Sequence, residues 1–64
     1  MDNFAELETL KSELFNRGAG AISDVLGYDI DPDEDKDIID NRLDMAFAEM
    51  SNSQLYDLYF QYCL

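Results

Sequence analysis

Residues 31–50 read DPDEDKDIIDNRLDMAFAEM, and this stretch decides the fold. Asp31 followed by Pro32 is a helix-opening pair: Asp accepts hydrogen bonds from the first unpaired amides, and Pro supplies a preset φ where no donor is needed. Asp33, Glu34 and Asp35 then suit the positive end of a helix dipole. Downstream, Ile39, Leu43, Ala46, Phe47 and Met50 recur at the helical period, with Ile38 and Met45 as a second apolar flank. The spacing predicts a helix from Asp31–Pro32 to about Met50.

Helical signals continue on both sides. Ser51 with Gln54 three residues on has the spacing of a capping box and opens a last helix to the C-terminus. Toward the N-terminus, Phe4, Leu7, Leu10 and Leu14 make one apolar stripe, widened by Phe15, in a helix from about Asn3 to Asn16, with Asn3 and Glu6 at capping-box spacing. Gly18 and Gly20 mark an end or bend, and Ala19, Ala21, Ile22, Val25 and Leu26 form a short second helix ending at Gly27. No hairpin turn separates alternating apolar runs. The expected architecture is all-α: one acidic helical domain over 1–64, a compact bundle of three to four short helices.

Composition narrows the function classes. The 64 residues hold fifteen Asp and Glu against four Lys and Arg, a formal charge of -11, and nine of the fifteen acids lie between Asp29 and Glu49. At 47% hydrophobic, with four Phe and four Tyr, the chain carries enough apolar material to fold despite that charge. The same charge repels phosphates, which argues against direct contact with nucleic acid or an anionic membrane surface. No apolar run approaches a membrane span, and no Lys/Arg-led apolar segment opens the sequence, so neither anchor nor signal peptide is expected. The lone thiol, Cys63, excludes an internal disulfide and suits a reducing, cytoplasmic setting. No His is present, no phosphate-cradling loop appears, and Cys63 has no cationic sequence neighbour, so neither an enzyme nor a bound cofactor is expected.

The carboxylates admit a sharper reading. On a continuous helix Asp33, Asp37, Asp40 and Asp44 fall within roughly 60° of one another, on a different side from Leu43, Ala46 and Met50. Continued by Asp29 and Asp31, such a stripe imitates the regular charge of a polynucleotide and competes for a basic groove on a nucleic-acid-binding protein. Tyr28, Tyr56 and Tyr59 are the candidate anchors at its edge, because desolvated contacts set affinity more than rim charge does.

In general character, a tiny acidic helical domain without catalytic residues resembles the phage-encoded anti-defence inhibitors, the anti-CRISPR proteins in particular, some of which mimic DNA. It is also similar to the acidic helical immunity proteins of bacterial nucleases. The resemblance rests on no shared motif and carries over no residue. It implies an inhibitor that blocks a basic, nucleic-acid-handling surface, working in the host cytoplasm if phage-encoded.

Two alternatives stand beside it. Leu55, Tyr56, Leu58, Tyr59, Phe60, Tyr62, Cys63 and Leu64 leave the last helix little polar surface, which suits a homodimer seam. Residues 29–40 also place acids at positions one, three, five, seven, nine and twelve of an EF-hand-like loop. Glu34 stands where that loop needs Gly, Lys36 where it needs an apolar residue, and Asp40 where it needs Glu, so no metal site is assigned.

Overall fold

The structure, a computed structural model, describes residues 4–64. Four helices account for most of them: α1 (Phe4–Arg17), α2 (Ala19–Leu26), α3 (Lys36–Glu49) and α4 (Asn52–Cys63). Among the described residues there is no strand, and no helix is long and apolar enough to cross a membrane. The all-α bundle is as expected. The predicted Asn3 cap lies outside the described residues.

The apolar stripes meet in one core. Leu10 and Leu14 of α1, Ile22 of α2, Ile39, Leu43 and Phe47 of α3, Leu55 of α4 and Ile30 from the connection before α3 are all buried. Leu10, Leu14 and Leu43 are wholly enclosed. The first helix is the common partner. Lys36, at the start of α3, lies over Phe15 near the end of α1, while Asp44, Phe47 and Ala48 share a groove with Phe4 and Leu7. α3 therefore runs antiparallel to α1. Leu55 joins that same groove and the Tyr62 carbonyl accepts a hydrogen bond from Arg17, so α4 runs parallel to α1. Cys63 is half-buried against the core, where burial and then Glu13 push its thiol up, keeping it protonated at neutral pH.

The ends of the helices follow local chemistry. The Ser51 hydroxyl accepts from the Gln54 amide at 3.3 Å and the Gln54 side chain accepts from the Ser51 amide at 2.9 Å, the reciprocal cap expected. Gly27 closes α2 in the left-handed conformation, φ 83°, and its amide donates to Ser23 at 2.8 Å. A single residue, Gly18 at φ 102°, turns the chain from α1 into α2. Gly20, expected to share that break, instead lies within α2 on an exposed face.

The start of α3 corrects the sequence reading. The helix begins at Lys36 with Asp35 as its cap, not at Asp31–Pro32. Asp31 opens a turn instead: its carboxylate accepts from the Asp33 amide at 2.9 Å and its carbonyl from the Glu34 amide at 3.0 Å. Asp followed by Pro is as good a turn signal as a helix signal, and tertiary contacts decide between them. Glu34 here contacts Arg42 at 2.7 Å. On one continuous helix these residues would stand about 12 Å apart along the axis, so the pair requires the turn.

Two glycine substitutions test this backbone. A Cβ would meet nothing within 4 Å at either Gly18 or Gly20, so conformation alone decides. Gly18→Ala is expected to destabilise by about 1–3 kcal/mol because alanine is strained at that φ. Gly20→Ala should stabilise by about 0.5–1 kcal/mol through helix propensity. Denaturant unfolding gives both signs, and two changes of the same sign would contradict the assignment.

Candidate functional site

Between α2 and α3 the chain alternates between pinned and displayed residues. Ile30 is buried and its amide donates to the Ser23 hydroxyl at 3.1 Å. Pro32 lies against Phe15, Ala19 and Ile39 in a shallow groove. Glu34 holds Arg42 through both guanidinium amino groups, at 2.7 and 2.8 Å. The Lys36 ammonium sits 5.1 Å from the centre of the Phe15 ring, within cation–π range. Ile30, Glu34 and Lys36 are thus tied to the body of the protein, and Pro32, itself exposed, lines a groove on it. The odd positions, Asp29, Asp31, Asp33, Asp35 and Asp37, are all exposed, and among the described residues none of the five forms an ion pair. Asp35 and Asp37 sit at the N-terminal end of α3, where the helix dipole offsets part of their mutual repulsion.

The expected stripe along α3 is shortened to Asp37, Asp40 and Asp44. Asp33 lies in the turn, off the helix, and Asp40 and Asp44 point at Lys11 of α1. The Lys11 ammonium lies 2.8 Å from Asp44, 3.2 Å from Asp40 and 3.1 Å from Glu8, on a residue only 5% exposed. Burial by itself would lower the Lys11 pKa. Hydrogen bonds to Asp44, Glu8 and Asp40 outweigh it and raise the pKa well above the ordinary lysine value. Asp40 and Asp44 therefore hold Lys11 while their side chains stay 41% and 53% exposed, and among the described residues only Asp37 of the helical three forms no ion pair. Sequence reasoning missed Lys11, although its position between Leu7 and Leu14 on the apolar face was a signal: a lone cation there must find acidic partners on the next helix.

The remaining cations are also committed. Arg17 pairs with Glu13 at 3.2 Å and lies 5.3 Å from the centre of the Tyr62 ring, Lys36 covers Phe15, and Arg42 holds Glu34. The four Lys and Arg of the chain thus all have internal partners, and Asp29, Asp31, Asp33 and Asp35 of the connection, with Asp37 in the first turn of α3, are left without an ion pair to any of them.

The tyrosines divide. Tyr28 is exposed and directly precedes Asp29, so it borders the acidic connection. Tyr56 is exposed and Tyr59 half-buried on α4, on another flank of α1: Lys11 turns toward α3, and Arg17, about 120° around the helix, turns toward Tyr62 of α4. The EF-hand-like stretch is split between turn and helix. Its last five positions, Lys36–Asp40, are helical, Asp40 faces Lys11, and among the described residues no group of three or more His, Cys, Asp or Glu side chains converges to hold a metal ion. The chain matches no protein-family model, no curated protein and no solved structure.

Removing the buried cation tests the network. Lys11→Met should lower stability by about 2–3 kcal/mol, because Glu8, Asp40 and Asp44 lose the charge that holds them together. Added salt should narrow the difference by screening their repulsion. The folded-state pKa of Lys11 is raised above its unfolded value of about 10.4. Its contribution is therefore complete at lower pH and declines as pH rises through the folded value. The stability gap between wild type and Lys11→Met should shrink above about pH 10.5; a gap constant from pH 9 to 12 would rule the network out.

Proposed function

We propose that this chain is a non-enzymatic inhibitor that presents the anchored aspartates of the α2–α3 connection to a basic, nucleic-acid-handling surface of a partner protein. One observation carries the reading: Asp29, Asp31, Asp33, Asp35 and Asp37 are displayed on alternate positions while every Lys and Arg of the chain is committed elsewhere. The partner supplies the missing cations. A groove built to line up Lys and Arg along a phosphate backbone meets carboxylates repeated every second residue, and both surfaces release counterions on contact. The contact set differs from the sequence expectation. Asp29, Asp31, Asp33 and Asp37 remain, Asp35 joins them, Asp40 and Asp44 leave, and Tyr28 is the tyrosine that borders the surface. This is the mode of action that the resemblance to anti-CRISPR-type anti-defence proteins implies, in the cytoplasm of a phage-infected host.

Neutralising the displayed acids separates binding from folding. Asp29→Asn, Asp33→Asn and Asp37→Asn combined should leave thermal stability unchanged or raised, since the change relieves repulsion. It should weaken capture of the partner from host lysate more than tenfold, and the wild-type complex should dissociate as salt rises. A partner retained equally by the neutralised protein would remove the acidic connection from the mechanism.

A second reading rests on α4. Tyr56 and Phe60 stack with ring centres 6.4 Å apart, both are exposed along with Leu64, and Asp57 is the helix's only charged residue. That strip suits pairing with a second copy, although two copies bring together two charges of -11 with no uncommitted Lys or Arg between them. Sedimentation velocity decides: a dimer sealed by α4 grows more stable with salt, and a monomer at both low and high salt disposes of it.

A further inference from the structure

A groove of about 240 Å³ opens between the end of α2 and the outer face of α3, lined by Leu26, Tyr28, Arg42, Met45, Ala46 and Glu49. Its rim holds large apolar side chains in water: Tyr28 is 52% exposed and Met45 63%. Ile38, 44% exposed, lies seven residues before Met45 and so within about 20° of it around α3, which extends the apolar strip toward the start of the helix. None of these three belongs to the core, and Tyr28 and Met45 meet on one groove with their apolar atoms in water.

The strip adjoins the displayed acids at two points along the chain. Tyr28 is followed by Asp29, Ile38 is preceded by Asp37, and Arg42 on the groove wall is the residue that holds Glu34 in the connection. We infer that this groove is the anchor pocket of the acidic surface, taking one apolar side chain that the basic partner carries between lysines or arginines; this rests on the function proposed above. Charge selects that occupant. Glu49 lines the groove, Asp29 and Asp37 adjoin Tyr28 and Ile38 along the chain, and the one cation on the wall, Arg42, is bound at both amino groups by Glu34. A second copy would bring another acidic connection against the first. The volume falls below the roughly 300–1,000 Å³ of small-molecule sites and suits a single side chain.

Division of labour follows. Displayed carboxylates accelerate encounter and confer salt dependence, while a desolvated apolar anchor slows dissociation. Affinity for a cationic segment should thus depend on whether it carries an apolar residue, independently of its charge.

Two synthetic decapeptides of equal Lys/Arg content, one with a central Phe and one with Ala in its place, test this against the full chain carrying labelled methionine methyls. Both should bind at low salt. The Phe peptide should bind at least fivefold tighter and shift the Met45 methyl resonance, and Met45→Ser, an exposed and structurally mild change, should abolish the advantage while leaving the Ala peptide unaffected. Equal affinities with Met45 unshifted would overturn the anchor and leave the acidic surface standing. So would an advantage for Phe that survives Met45→Ser. Binding of neither peptide at low salt would overturn the acidic surface, and the anchor with it.

Discussion

Lys11 lies in the apolar stripe of α1, between Leu7 and Leu14, where the helix faces its neighbours. Withdrawing an ammonium from water costs several kcal/mol, and the cost is met only if carboxylates arrive with good geometry. Glu8 comes from the same helix, but Asp40 and Asp44 come from α3, one turn apart. A turn of α3 about its axis by one residue would carry both acids away from Lys11 and lift Ile39, Leu43 and Phe47 out of the core. The buried cation and this apolar trio therefore set the rotation of α3 together, with α2 as its closest helical neighbour. With α3 placed, its first residue falls beside Phe15, and the connection from α2 must span the distance with its acids outward.

The same constraint explains which parts of the fold were legible in the sequence. Local signals with one physical meaning were read correctly: the stripe of Leu7, Leu10 and Leu14, the Ser51–Gln54 cap, and the left-handed glycine after Leu26. Asp31–Pro32 has two meanings, and the choice of a turn over a helix came from Glu34 reaching Arg42, a contact invisible in local spacing. The carboxylate stripe is only partly legible, for a related reason. A helical wheel shows which side chains share a face but not what stands opposite, and opposite Asp40 and Asp44 stood Lys11. The acids that were read as continuing the stripe, Asp29 and Asp31, turned out to belong to the displayed set itself. Tyr56 and Tyr59 were grouped with them by residue type, and only the parallel course of α1 and α4 shows that they occupy another flank.

Internal pairing also changes what the charge means. Lys11 pairs with three carboxylates, Arg42 with one and Arg17 with one, so these five acids have local partners at the surface of the bundle. Of the exposed acids without an ion pair among the described residues, Asp24, Glu49 and Asp57 are scattered and the other five lie in the nine residues from Asp29 to Asp37. A chain selected for solubility alone would gain as much from acids scattered over its surface, where their mutual repulsion is least. Concentration raises repulsion and strengthens the local field, which helps when that field has a target.

Anchoring completes the argument. A flexible acidic tail would carry the same charge with less strain, but it would lose conformational freedom on binding, at about 1–2 kcal/mol for each residue ordered. Here two of the chain's four cations, Arg42 and Lys36, hold down the connection at Glu34 and Phe15, and Ile30 gives it a foot in the core. Cations placed so close to exposed aspartates could have neutralised them directly. Instead Arg42 is turned to Glu34 and Lys36 to an aromatic ring, and Asp33, Asp35 and Asp37 remain unpaired between them. The ordering cost is thus met on folding, by contacts that leave the displayed carboxylates without countercharge. Such a loop favours recognition by a rigid basic surface over simple solvation, because only a partner with fixed geometry benefits from acids already held in place.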